Sequence, residues 1–315
     1  TNLKMVHYFI SSIFDDLKGR ATGNIHLYGK FSELNLKADV LTDVSCKIGF
    51  LNTSIVLKDS LHVTPTSIAF KDSKIYDTEG NAGLANGLIT FKHLHNFDYR
   101  ISLGLKNMLL MNTKEREDLP FYGKIHATGN VILQGGTNKG LDITSAIRTD
   151  KNSTFVYINR NTSSALSNQF ITFVDKIQKR YVDSLNVDET PDFSLDKISG
   201  DIRLNLQANV TPDATLKSIM DPVSGDYITA RGSGNIRCDF YNKGNFRMFG
   251  TYTIKEGDYK FSLQQIIRKN FTIDDGSTIT FSGAPLDANL NVLAKYTVNS
   301  ASLTDLIPSA SNIVK

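Results

Sequence analysis

The chain predicts an all-β protein. Two observations carry that prediction. Apolar residues alternate with polar ones at a period of two through nearly the whole length, and turn residues recur between the alternating runs. The composition agrees, because 315 residues hold 18 Phe, 12 Tyr and 22 Gly but only 7 Pro and no Trp. That is a chain rich in strand formers and turns.

The elements follow in chain order. Val6, Phe9, Ile10, Ile13, Phe14 and Leu17 recur at helical spacing ahead of Gly19, which predicts an amphipathic helix over 4–18 inside an N-terminal unit of 1–20. From Ile25 the period becomes two, and continuous β structure is expected over 21–315. Ile25 and Leu27, then Leu34, Leu36, Ala38 and Val40, lie in the apolar phase. Ile101, Leu103 and Leu105 continue it, followed by Ile125, Val131 and Leu133 and by Leu141 and Ile143. The cleanest run sets Ile202, Leu204, Leu206, Ala208 and Val210 against Arg203, Asn205, Gln207 and Asn209. Ile236 and Phe240, Phe246 and Met248, Tyr259 and Phe261, and Ile279 and Phe281 come next. Leu286, Leu290 and Val292 close the set.

Two further helices are expected within the sheet. Phe170, Phe173 and Ile177 share one side of an insertion at about 165–185 whose other side carries Lys176, Lys179 and Arg180. It reads as a packing helix or as a gate over an opening. A weaker helical turn is expected near Ala214 to Met220.

Little chemistry is written in the chain. His93 and His95 share a strand face without a third ligand. Asp274 and Asp275 precede Gly276 as turn residues. The glycines at 232 and 234 precede a strand, not the helix that a phosphate loop needs. No catalytic residue, metal or cofactor is assigned. Cys46 and Cys238 fall in the apolar phase and read as buried free thiols, with a disulfide between them as the alternative. A net charge of +3, with both signs interspersed, gives no basic stripe for nucleic acid. No run approaches the length of a membrane span.

A sheet with one oily face must pack on another sheet, close on itself, or surround a ligand. Alanines in the apolar phase, among them Ala38, Ala127 and Ala208, suit either an open lumen or a tight core.

The C-terminal third carries a more specific signature. Its order is G-x-Y-x-F, then F-x-I-x-x-G-S-x-I-x-F-x-G-x-P, then L-x-V-x-A-x-Y, and it resembles the C-terminal domain of the TamB family, among the AsmA-like bridge proteins. Gly250, Gly257, Tyr259, Phe271, Gly276, Ser277, Phe281, Gly283, Pro285, Leu290 and Ala294 match that pattern. The G-x(5)-G-x(5)-G spacing of Gly123, Gly129 and Gly135 resembles the module before it, in the phrasing of the Bacteroidetes branch.

The resemblance implies one elongated curled sheet, a continuous β half-pipe over 21–315, forming a trough with an apolar inside and a polar outside. It implies a periplasmic segment of a longer protein anchored in the inner membrane, carrying phospholipid toward an outer-membrane barrel of the BamA superfamily, TamA or its lipoprotein counterpart. An assembly or chaperone role for outer-membrane and secreted proteins is the alternative. A β-solenoid enzyme acting on polysaccharide is a weaker one, since no exposed cluster of acids and bases is present.

Overall fold

In the computed structural model, the described residues are 16–297 without 31, 118, 160–200, 245 and 264–266. Seventeen strands among them belong to one sheet. The first seven form a meander: β1 (Asp16–Tyr28), β2 (Asn35–Ile48), β3 (Thr53–Val63), β4 (Ser67–Tyr76), β5 (Ala82–Lys92), β6 (His95–Thr113) and β7 (Phe121–Gly136). Each pairs antiparallel with the next.

Beyond β7 the rows are long strands broken in two. β8 (Gly140–Thr149) and β9 (Ser153–Ile158) lie end to end along β7. β10 (Ile202–Val210) and β11 (Ala214–Asp221) lie end to end beside them and run parallel to them. Antiparallel order returns with β12 (Asp226–Tyr241) and β13 (Arg247–Leu263). β14 (Ile267–Ile273) and β15 (Thr278–Gly283) again share one long partner, β13. The sheet ends in the short β16 (Asn289–Asn291) and β17 (Ala294–Lys295). At about 4.8 Å per strand, the row from β1 to β16 extends on the order of 60 Å.

The breaks line up. Arg148 is level with Asn209, and Ser153 with Ala214, so the gaps at 150–152 and 211–213 are neighbours. The next two strands carry a register shift between Arg231 and Gly232, and the turn at Asp274 to Ser277 divides β14 from β15 at the same height. In β6 the shifts fall around Asn107, which has φ 53, and Asn152 in the first gap has φ 62. Asparagine tolerates that left-handed conformation, and bulges bend a strand. The result is a crease across the sheet.

Ring contacts prove that the sheet folds along this crease. Phe240 is level with Leu204, Leu204 with Ile143, and Ile143 with Leu133. Phe121 lies twelve residues from Leu133, about 40 Å along a straight strand. Yet the Phe121 and Phe240 rings are 5.9 Å apart, and Phe121 is 5.5 Å from Phe246. The two ends of the strands therefore face one another.

Glycines of the G-x(5)-G motif make the bend sterically possible. Gly123 and Gly129 have φ 146 and 148, and a Cβ on Gly129 would stand 2.3 Å from the Ala146 carbonyl oxygen. Only glycine fits a strand coiled so tightly.

Three expectations change. Residues 16–18, the end of the expected first helix, belong to β1, where Leu17 is level with Cys46; the rest of that helix lies outside the described residues. Ala214 to Met220 is strand, because ladders with β9 and β12 on either side outweigh a weak helical spacing. His93 sits in the β5–β6 turn with φ 50, so it does not share a strand face with His95. The insertion at 165–185, with Phe170, Phe173 and Ile177, lies outside the described residues.

Candidate functional site

Pairing registers place the alternating apolar residues on one face, the inside of the fold. A single row runs Ala85, Leu103, Val131, Ser145, Leu206, Cys238, Met248. Most outward neighbours on the same strands are polar, as with Arg100, Gln134, Arg203 and Gln207, all exposed, although Leu84 and Leu88 on β5 also face outward and are exposed.

The middle of this face is packed against itself. Ile101, Leu103, Leu105, Val131, Leu133, Leu141, Ile143, Ile202 and Phe240 are buried in one cluster, with Ile125, Leu204, Leu206 and Phe246 packed against it. A second cluster holds Ile236, Met248 and Ile279, flanked by Val210, Tyr259, Phe281 and Val292. Leu206 and Phe246 touch both clusters, which makes the interior continuous. Ala127 is 0% exposed and Ala38 is buried, so these small residues mark close approach of the walls.

The ends of the face are open. Leu36 and Val40 are half-buried beside a small cluster of Ala38, Val63 and Phe91. Next to them on β1, Ile25 is 49% and Leu27 is 54% exposed, although Ile25 is level with buried Ala38 and Leu27 with Leu36. At the other end Leu286 and Leu290 are each 47% exposed. Leu34 and Phe261 are half-buried.

Sequence periodicity missed part of the interior. Ile75, Met108, Leu109 and Met111 are buried, as is Phe121. The signal for the β6 group was the unbroken run Met108-Leu109-Leu110-Met111, which defeats alternation because β6 shifts register twice there. Two apolar neighbours are then buried in succession.

A polar knot closes the fold where β5 begins and can no longer partner β6. The Leu109 amide donates to Asp77 Oδ2 at 2.7 Å, and Thr53 Oγ1 donates to the Leu109 carbonyl at 2.8 Å. The same turn carries Glu79, which reaches Lys124 at 2.6 Å and His126 Nε2 at 2.7 Å. Burial pushes Asp77 up, but hydrogen bonds from Asn81 and from the Leu109, Asn81 and Glu79 amides outweigh it and hold the carboxyl below its ordinary 3.8. Hydrogen bonds to Lys124 and His126 hold Glu79 below its ordinary 4.5. Cys46 and Cys238 are free, and burial pushes both thiols up to about 12, which leaves them unreactive.

Among the described residues no group of His, Cys, Asp and Glu could hold a metal, and no helix is long and apolar enough to cross a membrane. The chemistry available is that of hydrocarbon: a folded sheet with a polar outside and a greasy inside, exposed where the sheet ends. Such an arrangement defines a curled all-β protein with an apolar inner face.

A family comparison makes the class specific. Residues 71–311 match the family model described as TamB C-terminal domain, more than half of the chain, and the chain belongs to that family. No curated protein and no solved structure matches it.

Proposed function

We propose that the chain is a segment of a periplasmic bridge that moves phospholipids between the inner and outer membranes along its apolar inner face. The observation that supports it most is the apolar inner face itself, which continues across the sheet and is exposed at Ile25 and Leu27 on β1 and at Leu290 on β16. An acyl tail leaving a bilayer faces a cost on the order of 0.8 kcal/mol per methylene, so a pair of ~16-carbon chains meets roughly 20 kcal/mol or more. A greasy face removes most of that barrier. In the middle, lipid passes by parting the walls, which exchanges wall–wall contact for wall–tail contact at little net cost in apolar area. In the full protein, an inner-membrane anchor and an outer-membrane barrel of the BamA superfamily would supply the two membrane ends. No cofactor or catalytic group is assigned.

One feature supports the assembly reading instead. Among the described residues β1 pairs only with β2, so its thirteen residues present an open strand edge to which another polypeptide could add a strand. Native mass spectrometry of the purified chain, with organic extraction of the same sample, separates the two. Recovered diacyl lipid is expected. A tightly held polypeptide with no lipid would favour assembly.

A further inference from the structure

We propose that Tyr252 is a hydrogen-bond donor to the ester carbonyl of an acyl chain lodged in the groove, a proposal that rests on the lipid-carrying reading. Tyr252 lies on the inner face of β13, level with Gly234 on one side and Ile279 on the other, and Ile279 is level with the exposed Leu290. It therefore stands two strand positions inside the open end. The side chain is 1% exposed, and its hydroxyl is buried with no hydrogen-bond partner among the described residues.

The surroundings explain why the hydroxyl is orphaned. Ala230, Ile236, Cys238, Met248, Ile254, Ile273 and Ile279 form the cluster around it. Their only side-chain acceptors are two weakly accepting sulfurs, and neither is bonded to the hydroxyl. A buried hydroxyl in such a place is costly, and phenylalanine would fill the same volume without that cost. Burial also holds the phenol far above its ordinary value, so it stays a neutral O–H donor at any physiological pH. A donor needs an acceptor, and what reaches so apolar an interior must itself be mostly hydrocarbon. An ester-linked acyl chain satisfies both conditions, because its carbonyl oxygen accepts the bond while its tail covers the isoleucines.

Access is through the weakest part of the sheet. β16 is held to β15 through Thr278, Ile279 and Thr280, and β17 to β14 through Thr272 and Ile273. Ala288 and Val292, on that flap, pack directly against the cluster that holds Tyr252.

The test is Tyr252→Phe in the 315-residue chain, with lipid retained per protein measured after exposure to two kinds of vesicle. One is dioleoyl phosphatidylglycerol with dioleoyl phosphatidylethanolamine; the other is their diether analogues, which lack carbonyl oxygens. The wild-type chain is expected to prefer the diesters by roughly three- to tenfold, the ratio that one hydrogen bond carries. Tyr252→Phe should lose that preference while its lipid-free melting temperature stays equal or rises. If the variant keeps the diester preference, or if it melts lower without lipid because the hydroxyl had a partner after all, the proposal is overturned and the conduit stands. If the wild-type chain retains neither lipid, the conduit reading fails and takes the proposal with it.

Discussion

Leu103 and Leu27 occupy the same phase of the same pattern on the same face, yet one is 6% exposed and the other 54%. The middle of the sheet, from β6 to β13, folds along its crease until Phe121 meets Phe240. At β1 nothing among the described residues lies on the far side of the strand. Alternation decides which face is apolar; what covers that face depends on how the strands bend and on what lies beyond the edge. The contrast separates residues that hold the fold from residues of the same face left open to solvent.

The largest effect expected is from charge placed in the two regions. Leu204→Asp puts a carboxylate against the central cluster and should cost several kcal/mol, about the penalty for burying an unpaired polar group. Leu290→Asp is expected to leave folding nearly unchanged and to lower lipid retention. Urea denaturation with lipid counting on both variants checks this; equal destabilisation would erase the distinction between middle and mouth.

Truncation follows in size. Ile254, with no exposure, should lose about 2–5 kcal/mol as alanine, whereas Leu27→Ala should stay within about 0.5 kcal/mol. The crease comes next. Gly129→Ala forces a Cβ onto the Ala146 carbonyl and should cost about 1–3 kcal/mol, read as a lowered urea midpoint.

The smallest effect belongs to the polar knot. The depressed Asp77 and Glu79 carboxyls contribute stability that is fully present above their ordinary values of 3.8 and 4.5 and is lost as pH falls through the depressed ones. Glu79→Gln should therefore cost under about 1 kcal/mol at neutral pH, since the carboxylate is 37% exposed, and the gap from wild type should close in acid. Melting curves across that range show the closing; a gap independent of pH contradicts the assignment.

Much of this was legible in the sequence. The all-β class and the apolar phase from Ile25 to Val292 follow from period and spacing, whereas Gly123 and Gly129 were legible only as part of a family-like spacing and their positive φ only from the structure. The crease was not legible, because a break such as Asp150 to Asn152 reads locally as an ordinary turn, and only alignment with its neighbours makes it part of a line. Asp275-Gly276 shows the same limit. It reads as a hairpin tip, but β14 and β15 do not pair with each other; they lie end to end on β13. Coverage was also invisible, since Leu204 and Leu290 have the same local pattern and different surroundings.

The central claim is that lipid follows the inner face and not exposed hydrocarbon in general. The outer face supplies a fair control: Leu88 is 49% exposed and Leu41 is 62% exposed, matching or exceeding Leu290 at 47% and Leu27 at 54%. Photo-crosslinking residues placed one at a time at these four positions, followed by incubation with phospholipid vesicles and mass spectrometry of the adducts, test it directly. Lipid adducts at Leu27 and Leu290, with little at Leu41 and Leu88, are the predicted result. Adducts of equal yield at all four would show adsorption to any greasy surface and would contradict a path through the groove.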